Sequence, residues 1–334
     1  MSLTAENWPI TAALLQFPGT KPDGSHVNDA DASEWVDVFR EVADAGFSDV
    51  DFTDSWVRPG DLSSARLDEL KQATVEAGVG APVISAIRRS VIHETDWADN
   101  LAYSHRTIDA AAQLGVEVVS FGLHQALTAE QKKQLWFWTV EGHHDPENDP
   151  ETWNKAVTRL RELGEHAAQS GILLSLEMYE DTYLGTADST VRMVQDIGLS
   201  NVGINPDIGN LIRLHRPIED WREMVAKLLP YSNYWHVKNY FRDEDVARDH
   251  YVAMPAPLES GLINYREAFR TAISVGFQGI ICTEHYGGDG LSVSAANETY
   301  LRRQVLPKRD GYALGTSLVA QNAAQISAPT TLEA

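Results

Sequence analysis

The chain has 334 residues, 43% of them hydrophobic and 9% aromatic, enough apolar material for one large core or two ordinary ones. Its net charge of −21 repels polyanions, and no Lys/Arg cluster interrupts that field, which excludes nucleic acid and anionic membrane surfaces as partners. The one cysteine, Cys282, cannot form an internal disulfide, and in the apolar run GIICTE it reads as a small buried hydrophobe.

No run approaches about 18 apolar residues, and the N-terminus lacks a charged region followed by a long apolar stretch, so a cytoplasmic protein is expected. In chain order, ITAALLQF (10–17) reads as a strand and SEWVDVFREVADAG (33–46) as a helix. The pattern repeats with SDVDFTD (48–54) and ARLDELKQATVEAG (65–78), then GAPVISAI (80–87) and LAYSHRTIDAAAQLG (101–115). VEVVSFGL (116–123) opens a long connection to about residue 150, which contains QLWFWTVEGHHDPEND. The helix ETWNKAVTRLRELGEHAAQSG (151–171) and the strands GILLSLEM (171–178), NVGINPD (201–207) and YWHVKN (234–239) follow. A second long connection, 241–261, precedes the helix INYREAFRTAISVG (263–276) and a last strand, GIICTEH (279–285). Several helices end in glycine, the residue a C-terminal cap prefers.

Eight strands alternating with helices predict parallel βαβ units closing into a single-domain (β/α)8 barrel over residues 1–310, with a doubly wound open sheet as the alternative. Residues 311–334, rich in small side chains, are expected to be a peripheral tail. Connections as long as 123–150 and 241–261 are usually functional or disordered. Trp136, Phe137, Trp138, His143 and His144 favour a lid or a partner-binding surface for the first.

In such a barrel the carboxyl ends of all strands share one rim, where active sites sit. Four consecutive strand ends carry Glu177, Asp207, His236 and Glu284, separated by 30, 29 and 48 residues. Three carboxylates and an imidazole converging on one point need a compensating cation. Oxygen-rich ligands with one imidazole suit Mn²⁺, with Mg²⁺, Co²⁺ and Zn²⁺ as competitors. Lys238, two residues after His236, should point the same way and either reach substrate oxygens or pair with a ligand carboxylate. His124 and His285 rank lower as site candidates, and His215 and His250 read as surface residues.

At these residues the sequence resembles the xylose-isomerase-like TIM barrels, the sugar phosphate isomerase/epimerase family. The resemblance runs through LLSLEMYEDTYLGT, NVGINPDIGN, WHVKNY, PLESGLINYREAF and GFQGIICTEHYG. It implies a Mn²⁺-type ion held by Glu177, Asp207, His236 and Glu284, with the two glutamates on opposite sides of the reacting carbons. Where many members carry histidine three residues after the strand-end aspartate, this chain has Asn210.

The ion would polarise a substrate carbonyl and ease removal of the neighbouring proton, a first step shared by isomerisation, epimerisation, dehydration and β-elimination. No P-loop-type glycine loop appears, so a phosphorylated substrate is not favoured. The aromatic 123–150 connection and DVDFTDSWVRPGDL (49–62) are similar to those of bacterial C-glycoside deglycosidase catalytic subunits, a branch of the same family. That resemblance implies a carbon–carbon lyase acting on 3-oxo-C-glycosides, with His143 or His144 as acid/base at the aglycone. It also implies a small β-rich partner subunit in an oligomer. The rival expectations are a ketose 3-epimerase or isomerase, a dehydratase of inosose-like ketones, and a non-catalytic sugar-binding scaffold.

Overall fold

In the computed structural model, which describes residues 2–326, all eight expected strands form and pair in parallel. They are β1 (Ile10–Ala13), β2 (Asp49–Thr53), β3 (Gly80–Ala86), β4 (Val118–Gly122), β5 (Leu173–Glu177), β6 (Val202–Asn205), β7 (Tyr234–Val237) and, after a hairpin, β10 (Ile280–Thr283). Each is short and almost wholly buried, as strands covered on both faces must be. The sheet runs β6-β5-β4-β3-β2-β1-β10-β7. Its two ends meet through one bridge, Ile204 to Ser232, and through the Asn205 side chain, whose Oδ1 accepts the His236 backbone N–H at 2.7 Å. The outcome is a nearly closed (β/α)8 barrel.

The helices start and stop where local chemistry directs. α1 (Ala32–Asp44) opens with a reciprocal capping box between Asp31 and Glu34. α2 (Ser64–Ala77) is capped by the Ser63 hydroxyl, and α3 (Trp97–Leu114) ends at Gly115 in the left-handed region, φ 82°. α4 (Pro150–Gln169) combines an Asp149 cap with proline in its first turn. α5 (Ala187–Ile197), the one-turn α6 (Gly209–Ile212), α7 (Trp221–Leu228), α8 (Tyr265–Ser274) and α9 (Gly290–Tyr300) complete the outer layer. Trp8, Trp35, Phe39, Phe52, Trp235 and Phe269 fill the space between helices and sheet.

Two connections differ from expectation. Residues 241–261 are mostly not loop: β8 (Asn239–Asp245) and β9 (His250–Ala256) form an antiparallel hairpin in full register. The alternation in NYFRDED places few apolar residues together, so a strand pairing outside the main sheet left little apolar signal. The expected tail is mostly exposed or half-buried over 311–326, but it is anchored at Val319 and Ala320, which are buried. Leu318 N and Ala320 N donate to Pro230 O and Ser200 O, and Ala320 joins Val83, Val118, Leu173 and Ile280 in a small cluster. The end of the expected tail, 327–334, lies outside the described residues.

Candidate metal centre and active site

Strand parity explains how four distant residues meet. Side chains alternate along a strand, so Ser175 and Glu177 share the barrel-facing side of β5, and Tyr234 and His236 share that of β7. Asp207 sits two residues past β6, and Glu284 directly follows β10. All four are at most 4% exposed.

His236 Nδ1 is the focus. It lies 3.5 Å from Glu177 Oε2, 3.7 Å from Asp207 Oδ2 and 3.3 Å from Glu284 Oε2. Atoms that far apart can each sit about 2.1 Å from a shared divalent ion. His236 Nδ1 and both Asp207 oxygens are buried without a hydrogen bond, a costly state unless a cation completes them. Glu177, Asp207 and His236 offer ligand atoms all within 4.8 Å of one another, which fits a divalent metal, while Glu284 adjoins that group through His236. The glutamates flank the arc, Glu177 at its β5 end and Glu284 at its β10 end.

Their proton affinities are driven apart. Burial, reinforced by the charges of Asp207 and Glu284 and only partly offset by His236, pushes the Glu177 carboxyl up to about 8. Burial acts the same way on Glu284, but Lys238 and His236 outweigh it and hold that carboxyl well below its usual range. Lys238 Nζ donates to Glu284 Oε2 at 3.0 Å; it also stands 2.7 Å from Asp207 Oδ2, but off the hydrogen-bonding direction, leaving that oxygen unpaired. Lys238 is thus the ion-pair partner of both Asp207 and Glu284. Room for it exists because Gly209 lacks a side chain: a Cβ there would lie 2.2 Å from Lys238 Cγ.

Two amides steady Glu177. Asn205 Nδ2 donates to its Oε2 at 3.2 Å, and Asn210 Nδ2 to its Oε1 at 3.3 Å and to Met178 O at 2.9 Å. Asn210 is thus committed to orienting Glu177. His124 Nε2 is 3.5 Å from Glu177 Oε1, its ring against Tyr179 at 3.8 Å. Burial and the nearby Arg88 and Arg213 drive its proton affinity far down, so it is a neutral imidazole beside the cluster.

His143 and His144 are not brought into this cluster. Both are exposed on the outer rim, His144 pairing with Glu141 at 3.0 Å and lying 3.6 Å from Asp181. The same connection instead sends its aromatic residues inward. Trp138 is buried against Tyr286 and Tyr240, and Phe137 also reaches Tyr286. Arg213, with no exposed surface, is held by both oxygens of Glu180 at 3.0 Å and ringed by Phe137, Trp138, Tyr179 and Tyr286. This roof fastens residues 123–150 over the rim like a closed lid.

Asp51, Asn205, Arg213, Glu180 and Tyr286 escaped sequence reasoning. Asp51 alone carried a signal, a carboxylate in the middle of a strand buried on both faces.

A family model described as "Xylose isomerase-like TIM barrel" matches residues 39–305. The chain belongs to this family. It is 46% identical to a xylose isomerase-like TIM barrel protein from Mycobacterium smegmatis, solved in complex with magnesium, with a TM-score of 0.86 over 90% of this chain and 97% of that one. D-psicose 3-epimerase from Clostridium cellulolyticum H10, solved with D-tagatose, shares the fold at 15% identity and a TM-score of 0.62, covering 90% of this chain and 99% of that one. A probable L-ribulose-5-phosphate 3-epimerase of Mycoplasma pneumoniae is 22% identical over 198 residues, 56% of this chain and 58% of its own length. Among the described residues, no helix is long and apolar enough to cross a membrane.

Proposed function

We propose that the chain is a divalent-metal-dependent epimerase or isomerase of a keto sugar. The observation that carries this reading is the pair of buried glutamates on opposite sides of one cluster, each within 3.5 Å of His236 Nδ1. Two carboxyls facing one site from opposite sides are the arrangement that removal and return of a proton on opposite faces needs. The relatives support the class: a magnesium complex at 46% identity and a 3-epimerase of a ketose phosphate among curated proteins. The ion, held by Glu177, Asp207, His236 and Glu284, supplies Lewis-acid polarisation of the substrate's oxygens when bound.

The chain's own residues do the rest. Glu284, ionised beside Lys238, removes the proton next to the carbonyl, and Glu177 delivers one to the opposite face, which inverts that carbon. In reverse the roles exchange. Lys238 limits the rise in negative charge as the enolate forms, and Asn205 and Asn210 hold Glu177 in place. The closed roof of Trp138 and Tyr286 keeps water from the enolate.

The test is an incubation of protein with Mg²⁺ or Mn²⁺ and a free ketohexose in D₂O. Epimer formation with one solvent deuteron at the inverted carbon supports the reading; no exchange with any ketose or metal sinks it. One feature favours a second reading, β-elimination from a 3-oxo-C-glycoside. The aromatic roof of Phe137, Trp138, Tyr240 and Tyr286 suits a flat aglycone. Release of an aromatic product without ketose exchange would favour it over epimerisation.

A further inference from the structure

Beneath the ligand cluster, Asp51 stands inside the barrel on β2 with no exposed surface. Its Oδ2 accepts hydrogen bonds from Ser85 Oγ at 2.6 Å and Tyr234 Oη at 2.7 Å. The same oxygen lies 3.3 Å from His236 Nε2, and Tyr234 Oη lies 3.0 Å from that nitrogen. Burying a carboxylate with no Lys or Arg against it costs free energy, so its retention calls for a cause.

We infer that Asp51 is a positioning residue that fixes the tautomer of His236, with Tyr234 as relay. The inference rests on the metal reading above and assigns a role to a residue outside the ligand set. Proton counting gives the argument. Tyr234 has one hydroxyl proton, and its 2.7 Å bond to Asp51 uses it. Its oxygen can then meet His236 Nε2 only as an acceptor, so Nε2 carries the hydrogen. The other tautomer would aim the Nε2 lone pair at Asp51 Oδ2 and at Tyr234 Oη, whose proton is engaged elsewhere. With Nε2 protonated, the Nδ1 lone pair faces Glu177, Asp207 and Glu284, where an ion would sit.

Asp51, His236 and Cys282 also lie close enough to suggest a second metal site. The hydrogen bonds argue otherwise. Asp51 Oδ2 accepts from two hydroxyls and faces the imidazole, and Cys282 Sγ approaches that same oxygen at 3.9 Å; Oδ1 is buried without a partner, but His236 Nε2, the ring nitrogen on this side, is already turned to Oδ2 and the Tyr234 hydroxyl. Asp51 serves the ion through His236.

The test measures ion binding and tautomer separately. Nitrogen-15 NMR of histidine-labelled, metal-free protein, recorded at a pH high enough that the ring carries a single proton, should show that His236 proton at Nε2, assigned by comparison with His236→Gln. Calorimetric titration with Mn²⁺ should show Asp51→Asn binding about 10- to 100-fold more weakly than wild type. Ser85→Ala removes a donor to the same oxygen but leaves the imidazole contact, and should bind within about threefold of wild type. Wild-type His236 carrying its single ring proton at Nδ1, or Asp51→Asn binding Mn²⁺ as tightly as wild type, overturns the inference. Should Asp51→Asn fail to fold, the wild-type tautomer alone decides. Should wild type bind no divalent ion, the metal reading fails, while the tautomer still judges the Asp51–His236 contact.

Discussion

Asn205 joins the last seam of the barrel to the active site, so its replacement should be felt in both. Its side chain accepts the His236 N–H at 2.7 Å across the gap between β6 and β7 and donates to Glu177 Oε2 at 3.2 Å. Asn205→Ala strands a fully buried backbone donor and frees Glu177 on one side. An unsatisfied buried donor costs about 1–3 kcal/mol, and the lost bond to a carboxyl about 1.5 more, giving roughly 3 kcal/mol in all. At about 2.1 cal/mol/K of unfolding entropy per residue, 334 residues correspond to about 0.7 kcal/mol per degree, so Tm should fall by about 4 °C. Differential scanning calorimetry of the metal-free variant measures this. Asn205→Asp keeps an acceptor for His236 but sets a carboxylate against Glu177, so it should retain more stability than Asn205→Ala at pH 5, where Glu177 is protonated, than at pH 9. A variant Asn205→Ala melting within 1 °C of wild type would refute the idea that this amide holds the seam.

Other expectations follow from the same geometry. Glu177 binds its proton more tightly folded, at about 8, than its ordinary 4.5, so the unfolded chain ionises first as pH rises. Stability of the metal-free protein should be full below about pH 4.5 in this respect and fall by a few kcal/mol towards pH 8. Urea titrations across that window check it, and Glu177→Gln should flatten the slope. Saturating Mg²⁺ or Mn²⁺ should raise Tm in wild type but not in Asp207→Asn, because linkage stabilises only a fold that binds the ion. Arg213→Met leaves Glu180 buried without its partner and should cost about 3–5 kcal/mol, measured by urea unfolding, whereas the double change with Glu180→Gln should recover part of it. Gly209→Ala should push Lys238 off Asp207 and Glu284 and cut kcat more than it changes KM; unaltered kinetics would remove Lys238 from the chemistry.

The sequence by itself determined the alternation of elements and which strand-end residues converge. Strand and helix periods differ, Gly115 and the capping residues punctuate them, and strand ends in a parallel barrel share one rim, so Glu177, Asp207, His236 and Glu284 could be grouped before any coordinate was known. Tertiary structure decided what depends on contacts between residues distant in the chain. Asp51 reaches His236 across 185 residues, and nothing local marks that meeting. The histidines of the 123–150 connection looked like its chemical groups, yet its aromatic side chains gain more from burial against Arg213, Tyr240 and Tyr286, so they turn inward and His143 and His144 face water. The β8–β9 hairpin and the anchoring of the C-terminal segment at Val319 and Ala320 belong to the same class, because pairing partners and packing space are properties of the assembled barrel and leave little trace in local composition.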